Sequence, residues 1–102
     1  MTIYNLGSIN IDHVYRVPHL PAPGETLSAL NYAQGLGGKG ANQSVAAARA
    51  GAHCLHIGAV GPASDWVLIA LERYGVDLSH VAQLGVATGH ASINVDPGAE
   101  NA

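Results

Sequence analysis

Apolar and polar positions alternate across residues 3–11, most strictly at Ile9, Asn10, Ile11 and Asp12, and this period of two predicts a strand running into a polar turn. Asn10 and Asp12 then project from a strand end. Alternation resumes at His13, Val14, Tyr15, Arg16 and Val17 and stops at Pro18. Pro18, Pro21 and Pro23 exclude a helix interior or a central strand, so residues 18–24 read as a loop closing in a Pro-Gly turn. Residues 26–34 are a weaker strand candidate, followed by glycines from Gly35 to Gly40.

A helix is predicted from near Ala41 to Ala50, rich in good helix formers (Val45 is flanked by Ala46, Ala47 and Ala48), with Gly51 in the C-cap place. Its small side chains allow close packing on a sheet. Residues 53–60 form an apolar strand closed by Gly61-Pro62. Residues 66–74 carry Trp66, Val67, Ile69, Ala70 and Leu71 on a helical face ended by Gly75. Two short strands follow, at 81–84 and 90–95, the second bounded by Thr88-Gly89 and by Asp96-Pro97-Gly98.

Strands alternating with helices predict a parallel α/β layer, and residues 13–34 and 90–95 read as antiparallel additions to it. No internal repeat or linker interrupts the pattern. Glu100-Asn101-Ala102 follow a turn after which another strand is expected, which reads as a truncation.

Composition narrows the class. Hydrophobic residues make up 48% and charged residues 11%, which places the chain among folded proteins. Four Lys+Arg and a net charge of −3 provide no basic patch for a phosphate backbone, so a small ligand is expected rather than nucleic acid. The first residues lack the charged and apolar regions of a signal peptide, and no run suits a membrane span, which predicts a soluble cytoplasmic protein. Cys54, the one cysteine, lies in an apolar stretch and reads as an inert core thiol. His53 and His56 point to opposite faces of a strand, so they cannot share a metal without distortion.

Gly35-Leu36-Gly37-Gly38-Lys39-Gly40 satisfies the G-x-G-x-x-G spacing of a dinucleotide turn. That turn should directly follow the first strand and be answered by an acidic residue about 20 positions later. Neither holds, because the first strand ends well before it and residues 51–60 contain no carboxylate. A P-loop fails too, since Lys39 precedes Gly40 rather than Ser or Thr. Two readings remain: a flexible connector, or a ligand wall. The second draws on placement, because a lysine among glycines opens a helix whose first N–H groups can bond a polar or anionic ligand. Asn42 adds an amide that donates and accepts, suited to vicinal sugar hydroxyls. Asn10 and Asp12 offer the same chemistry from a second wall, although Asx capping of the turn accounts for them equally well.

Gly7-Ser8-Ile9-Asn10-Ile11-Asp12, Pro23-Gly24-Glu25-Thr26, Gly37-Gly38-Lys39-Gly40-Ala41-Asn42-Gln43, Tyr74-Gly75-Val76-Asp77 and Thr88-Gly89-His90-Ala91 stand in order along the whole chain. In this the chain resembles the ribokinase-like (PfkB) carbohydrate kinases, and its Lys-Gly-Ala-Asn-Gln form is nearer to ribokinase than to fructokinase or adenosine kinase. The resemblance implies an α/β fold, a three-layer α/β/α domain with a small antiparallel β lid over the sugar site, the lid strands near 13–34 and 90–95 also making a homodimer contact. It implies transfer of the ATP γ-phosphoryl group to a primary sugar hydroxyl, for ribose the 5-hydroxyl, with Mg²⁺ and a monovalent cation assisting. By position, Asn10 and Asp12 would bind sugar hydroxyls, Gly38 and Lys39 would line the pocket, and Asn42 would complete it.

Two departures qualify this. The family's Gly-Ala-Gly-Asp anion hole and base do not occur in these residues, nor does a nucleotide-binding half, so the chain reads as an N-terminal sugar-binding part that is inactive alone and binds no ATP or Mg²⁺. The family usually places an aspartate two residues after the position of Gly61, whereas Pro62-Ala63-Ser64-Asp65 displaces it here. A stand-alone sugar-binding or dimerising module and an NAD-binding fragment are the rival functions.

Overall fold

The apolar run His53–Val60 forms the central strand of one sheet in the computed structural model, which describes all 102 residues. In chain order the elements are β1 (Thr2–Leu6), β2 (Asn10–Arg16), β3 (Asn31–Gly37), α1 (Lys39–Arg49), β4 (His53–Val60), α2 (Asp65–Arg73), β5 (Asp77–Gln83) and β6 (His90–Val95). The main sheet is parallel in the order β1-β4-β5, and a second sheet runs β3-β2-β6. This is the α/β arrangement expected from alternating strands and helices.

Both helices lie on one face of the main sheet. Val60 of β4 joins Ala41 of α1 and Val67 and Leu71 of α2 in one buried cluster, completed by Ile9 and Val76. Ser44, Val67 and Leu71 are fully buried, and the small residues at the start of α1 let the helix approach closely, as expected. Gly51 takes φ 98° and bonds the carbonyl of Ala48, the left-handed helix end a side chain resists. The 102 residues thus supply the sheet and one helical layer. The other sheet face carries Tyr4 and Leu6, 65% and 77% exposed.

Four strand expectations change. Residues 3–11 are two strands, because the chain leaves the main sheet at Gly7, passes over the start of α1 and enters the second sheet at Asn10. The strand expected at 26–34 is shifted to Asn31–Gly37: β2 ends at Arg16, whose carbonyl accepts from Leu30 N–H, so residues before that have no ladder to join. The strand expected at 81–84 begins earlier, at Asp77. Residues 90–95 pair with β2 in parallel, Ile11 with His90 through Arg16 with Val95, so the lid sheet is mixed rather than antiparallel. The cause is the anchor before it. Thr88 Oγ1 accepts from Gly61 N–H at 2.7 Å at the end of β4, so β6 starts beside the start of β2 and both strands run outward.

Cys54 is free and wholly buried, as expected of a core thiol. No helix is long and apolar enough to cross a membrane. Asp77, at the start of β5, accepts from Ser79 Oγ at 2.7 Å, Ser79 N–H at 2.9 Å and His53 Nε2 at 3.0 Å. The Ser79 hydroxyl above all, then its N–H and His53, hold the carboxyl well below the usual carboxylate range. A lowered folded-state pKa contributes stability above the unfolded value, about pH 4, that is lost as pH falls through the folded one. Asp77→Asn is therefore expected to flatten the acid limb of the stability curve below about pH 4 while leaving its slope above pH 5 unchanged. Thermal midpoints across that range check this, and parallel acid limbs for the two proteins would count against it.

Candidate functional site

The site is built where the loop from Gly7 to Ile9 crosses the first turn of α1. Gly38 caps that helix at φ 98°, and a Cβ there would lie 2.6 Å from Ser8 O and 3.0 Å from Asn10 N. Only glycine combines that backbone with that approach. Two residues on, a Cβ on Gly40 would lie 2.5 Å from Gly7 C and 2.6 Å from Ser8 N, so loop and helix meet backbone to backbone. Ser8 O accepts from Ala41 N–H at 2.9 Å. Of the helix-start donors expected to be free for a ligand, that one is engaged by the protein itself. The N–H groups of Lys39 and Gly40 precede the first intrahelical bond, Asn42 N–H to Gly38 O.

The second wall is the lid sheet. Asn10 and Asp12 are two apart in β2 and share a face, and their register partners in β3 are Gly37 and Gly35. A Cβ on Gly37 would collide with the Asp12 carboxylate, which lies across that glycine. A Cβ on Gly89 would come within 2.8 Å of Asn10 Oδ1. Neither side chain hydrogen-bonds the protein, unlike Asp77 and Asp96, which do close Asx turns on Ser79 N–H and Gly98 N–H. The Asx-cap reading of Asn10 and Asp12 therefore fails. Both are half-buried with their bonding capacity unspent.

Asn10, Asp12, Gly37 and Gly38 are thus brought together. Lys39 and Asn42 stand exposed on the first turn of α1, with no hydrogen bond or ion pair to Asn10 or Asp12. Asn42 borders a hollow of about 240 Å³ shared with Leu36, Val45, Arg49 and Tyr74. The first turn of α1 contains no acidic residue, so the helix dipole and Lys39 make this a positive helix start, and Gly37, just before it, lies against the Asp12 carboxylate. That helix start and the Asn10 amide can bond a polyhydroxylated ligand from two sides.

Gly89 and Ala91 escaped the sequence reading as site residues. Ala91 is the register partner of Asp12 in β6 and shares its face, offering an apolar patch beside the carboxylate. In the sequence Thr88-Gly89 marks a strand boundary and, with His90-Ala91, one motif of the resemblance, without a site role. Ala63 stands where the aspartate was expected and Asp65 sits exposed in the first turn of α2, while Ser64 turns inward with its Oγ 2.6 Å from Thr88 Oγ1. His53 and His56 do diverge, the first to Asp77 and the second to Ser44 and Gly7 O. His13 and His90 meet edge to face at 5.5 Å on the lid face opposite Asp12, with His13 Nδ1 2.6 Å from Tyr32 Oη.

The pattern of the pfkB family carbohydrate kinases matches residues 2–102. Ribokinase of Haemophilus influenzae is 45% identical over 103 residues, covering 98% of this chain and 34% of that protein. Deoxyribokinase of Salmonella typhi is 35% identical over 104 residues, covering 99% and 34%. Ribokinase of Arabidopsis thaliana, solved in complex with ribose and ATP, superposes with a TM-score of 0.83 at 30% identity over 99% of this chain and 34% of that one. The chain spans about a third of the length of the curated relatives it matches. A match that runs from Thr2 to Ala102 and takes in both walls of the site leaves one conclusion: this chain belongs to the pfkB family of carbohydrate kinases.

Proposed function

We propose that these residues form the sugar-binding side of an ATP-dependent kinase that transfers the γ-phosphoryl group to the 5-hydroxyl of D-ribose, in the cytoplasm, where ATP is available. The observation that carries this reading is the pair Asn10 and Asp12, unpartnered and held over Gly89 and Gly37, facing the glycine-rich start of α1. A carboxylate accepts from two sugar hydroxyls, and an amide both donates and accepts. In this reading Gly38 and Lys39 would line the sugar pocket and Asn42 would complete it. The matching relatives include ribokinases at 45% and 35% identity and a deoxyribokinase at 35%, which supports a pentose as the acceptor.

The donor side lies elsewhere. No three Asp, Glu, His or Cys side chains converge on a possible metal site here, and Lys39 lacks the P-loop context. The contribution of these residues is to bind and orient the acceptor. Orientation can supply several kcal/mol of a phosphoryl-transfer barrier. The lid face with His13, Tyr15, Tyr32 and His90 supports a homodimer through the lid, since Tyr32 is 47% exposed in a ring cluster.

The test is phosphorylation by the full-length protein with ATP and Mg²⁺. Ribose is expected to be turned over with kcat/KM at least about tenfold above 2-deoxyribose, the scale of one hydroxyl hydrogen bond. Failure with every pentose sinks the kinase reading. Saturable ribose binding by calorimetry without turnover favours a sugar-binding module instead.

A further inference from the structure

His56 is the largest fully buried polar side chain, and nothing in the proposed reaction uses it. It lies in β4 at the register position of Asn5 in β1. Its Nδ1 is 2.7 Å from Ser44 Oγ and its Nε2 is 3.0 Å from the Gly7 carbonyl oxygen. A carbonyl only accepts, so Nε2 carries the proton, and Nδ1 of the neutral ring accepts from the Ser44 hydroxyl. Ser44 Oγ accepts in turn from Asn5 Nδ2 at 2.9 Å, and Asn5 also donates to Gly40 O at 2.9 Å. Every proton has a place, and no buried side-chain polar atom lacks a partner.

A buried polar trio is costly when incomplete, at about 1–3 kcal/mol per orphaned group, and an apolar trio carries no such risk. What this one does is visible at its ends. One end holds the carbonyl of Gly7, the start of the loop that delivers Asn10. The other holds the carbonyl of Gly40, in the turn that carries Lys39. Gly7 and Gly40 are in direct backbone contact, and Ser8 O is bonded to Ala41 N–H. The two walls of the site are therefore tied together beneath their contact.

We infer that Asn5, Ser44 and His56 form a clasp that sets the separation between Asn10 and Asp12 on one side and the first turn of α1 on the other, with His56 a positioning residue for the sugar. The inference rests on the sugar-kinase reading above. His56 does not touch the ligand. It acts through the Gly7 carbonyl, so its loss weakens sugar binding and leaves the nucleotide untouched.

In the full-length protein, His56→Leu is expected to raise KM for ribose about tenfold, the scale of one or two buried hydrogen bonds, with KM for ATP changed less than about twofold. His56→Gln, whose amide retains one acceptor and one donor, brings ribose KM back to within about threefold of the parent. Amide exchange in residues 7–10 and 39–42 accelerates about tenfold in the leucine variant and not elsewhere. Should His56→Leu fail to fold, the triple change Asn5→Val, Ser44→Ala, His56→Leu removes the orphaned partners and is expected to fold with the same raised KM. An unchanged ribose KM in the folded single or triple variant overturns the proposal. So does a rise in both substrates' KM that glutamine does not rescue. If the parent protein phosphorylates no sugar, the kinase reading falls separately. Exchange then decides the clasp: acceleration confined to those two segments sustains it, and unaltered exchange refutes it.

Discussion

Gly40→Ala is expected to lower stability by about 3 kcal/mol, enough to unfold a marginal protein. The added methyl would meet Gly7 C, Gly7 Cα and Ser8 N at 2.5–2.6 Å, all of them backbone atoms. Neither side can yield easily. The loop is held by Gly7 N–H to Ile57 O and by Ser8 O to Ala41 N–H, and the helix by Asn5 Nδ2 to Gly40 O. Alanine improves helix propensity by about 1 kcal/mol, which offsets only part of the overlap. Gly35→Ala is the control, since nothing lies within 4 Å of a Cβ there and its φ is not positive. Urea denaturation of the three proteins measures the difference. A midpoint for Gly40→Ala equal to that of Gly35→Ala would show that the loop and helix can part without cost.

Asp12→Ala is expected to reduce kcat/KM for the sugar in the full-length protein by about 100-fold or more, and Asp12→Asn by about tenfold. The alanine loses two charge-assisted bonds to hydroxyls, each contributing about 1.5–3 kcal/mol, whereas the asparagine keeps one acceptor and turns a donor toward the other hydroxyl. Stability should scarcely move, because the carboxylate makes no hydrogen bond within the protein and is half-buried. That combination separates a binding residue from a structural one. A large drop in thermal midpoint with Asp12→Asn, or full activity in Asp12→Ala, would remove Asp12 from the site.

Several parts of this site were legible beforehand. The helix after the glycines, its end at Gly51, the apolar strand ending at Val60 and the polar pair Asn10 and Asp12 all follow from periods of 3.6 and 2 and from residues that stop them. The expectation that Gly37 to Asn42 make a ligand wall rests on local chemistry, a cation among exposed helix-start donors. What it overstated was the supply of donors, because Ala41 N–H serves Ser8 O, a carbonyl remote in sequence. His56 is weighed from the sequence only as a metal ligand with His53 and rejected, because the two point to opposite faces of a strand. Its role requires Ser44 and Gly7 to arrive around it, 12 and 49 positions away.

The sequence by itself determined where the two helices and the apolar strand ending at Val60 lie, where polar groups leave a strand in pairs, and membership of a kinase family. These depend on neighbours within a few positions or on motifs in fixed order. Tertiary structure alone decided that residues 3–11 break into two strands in different sheets, that β6 runs parallel to β2, and that Gly37 and Gly89 exist to make room for Asp12 and Asn10. Strand direction follows from where the chain is anchored, here Thr88 at the end of β4, and a glycine's necessity follows from the atom that stands opposite. Both are long-range facts, and a period along the chain does not encode them.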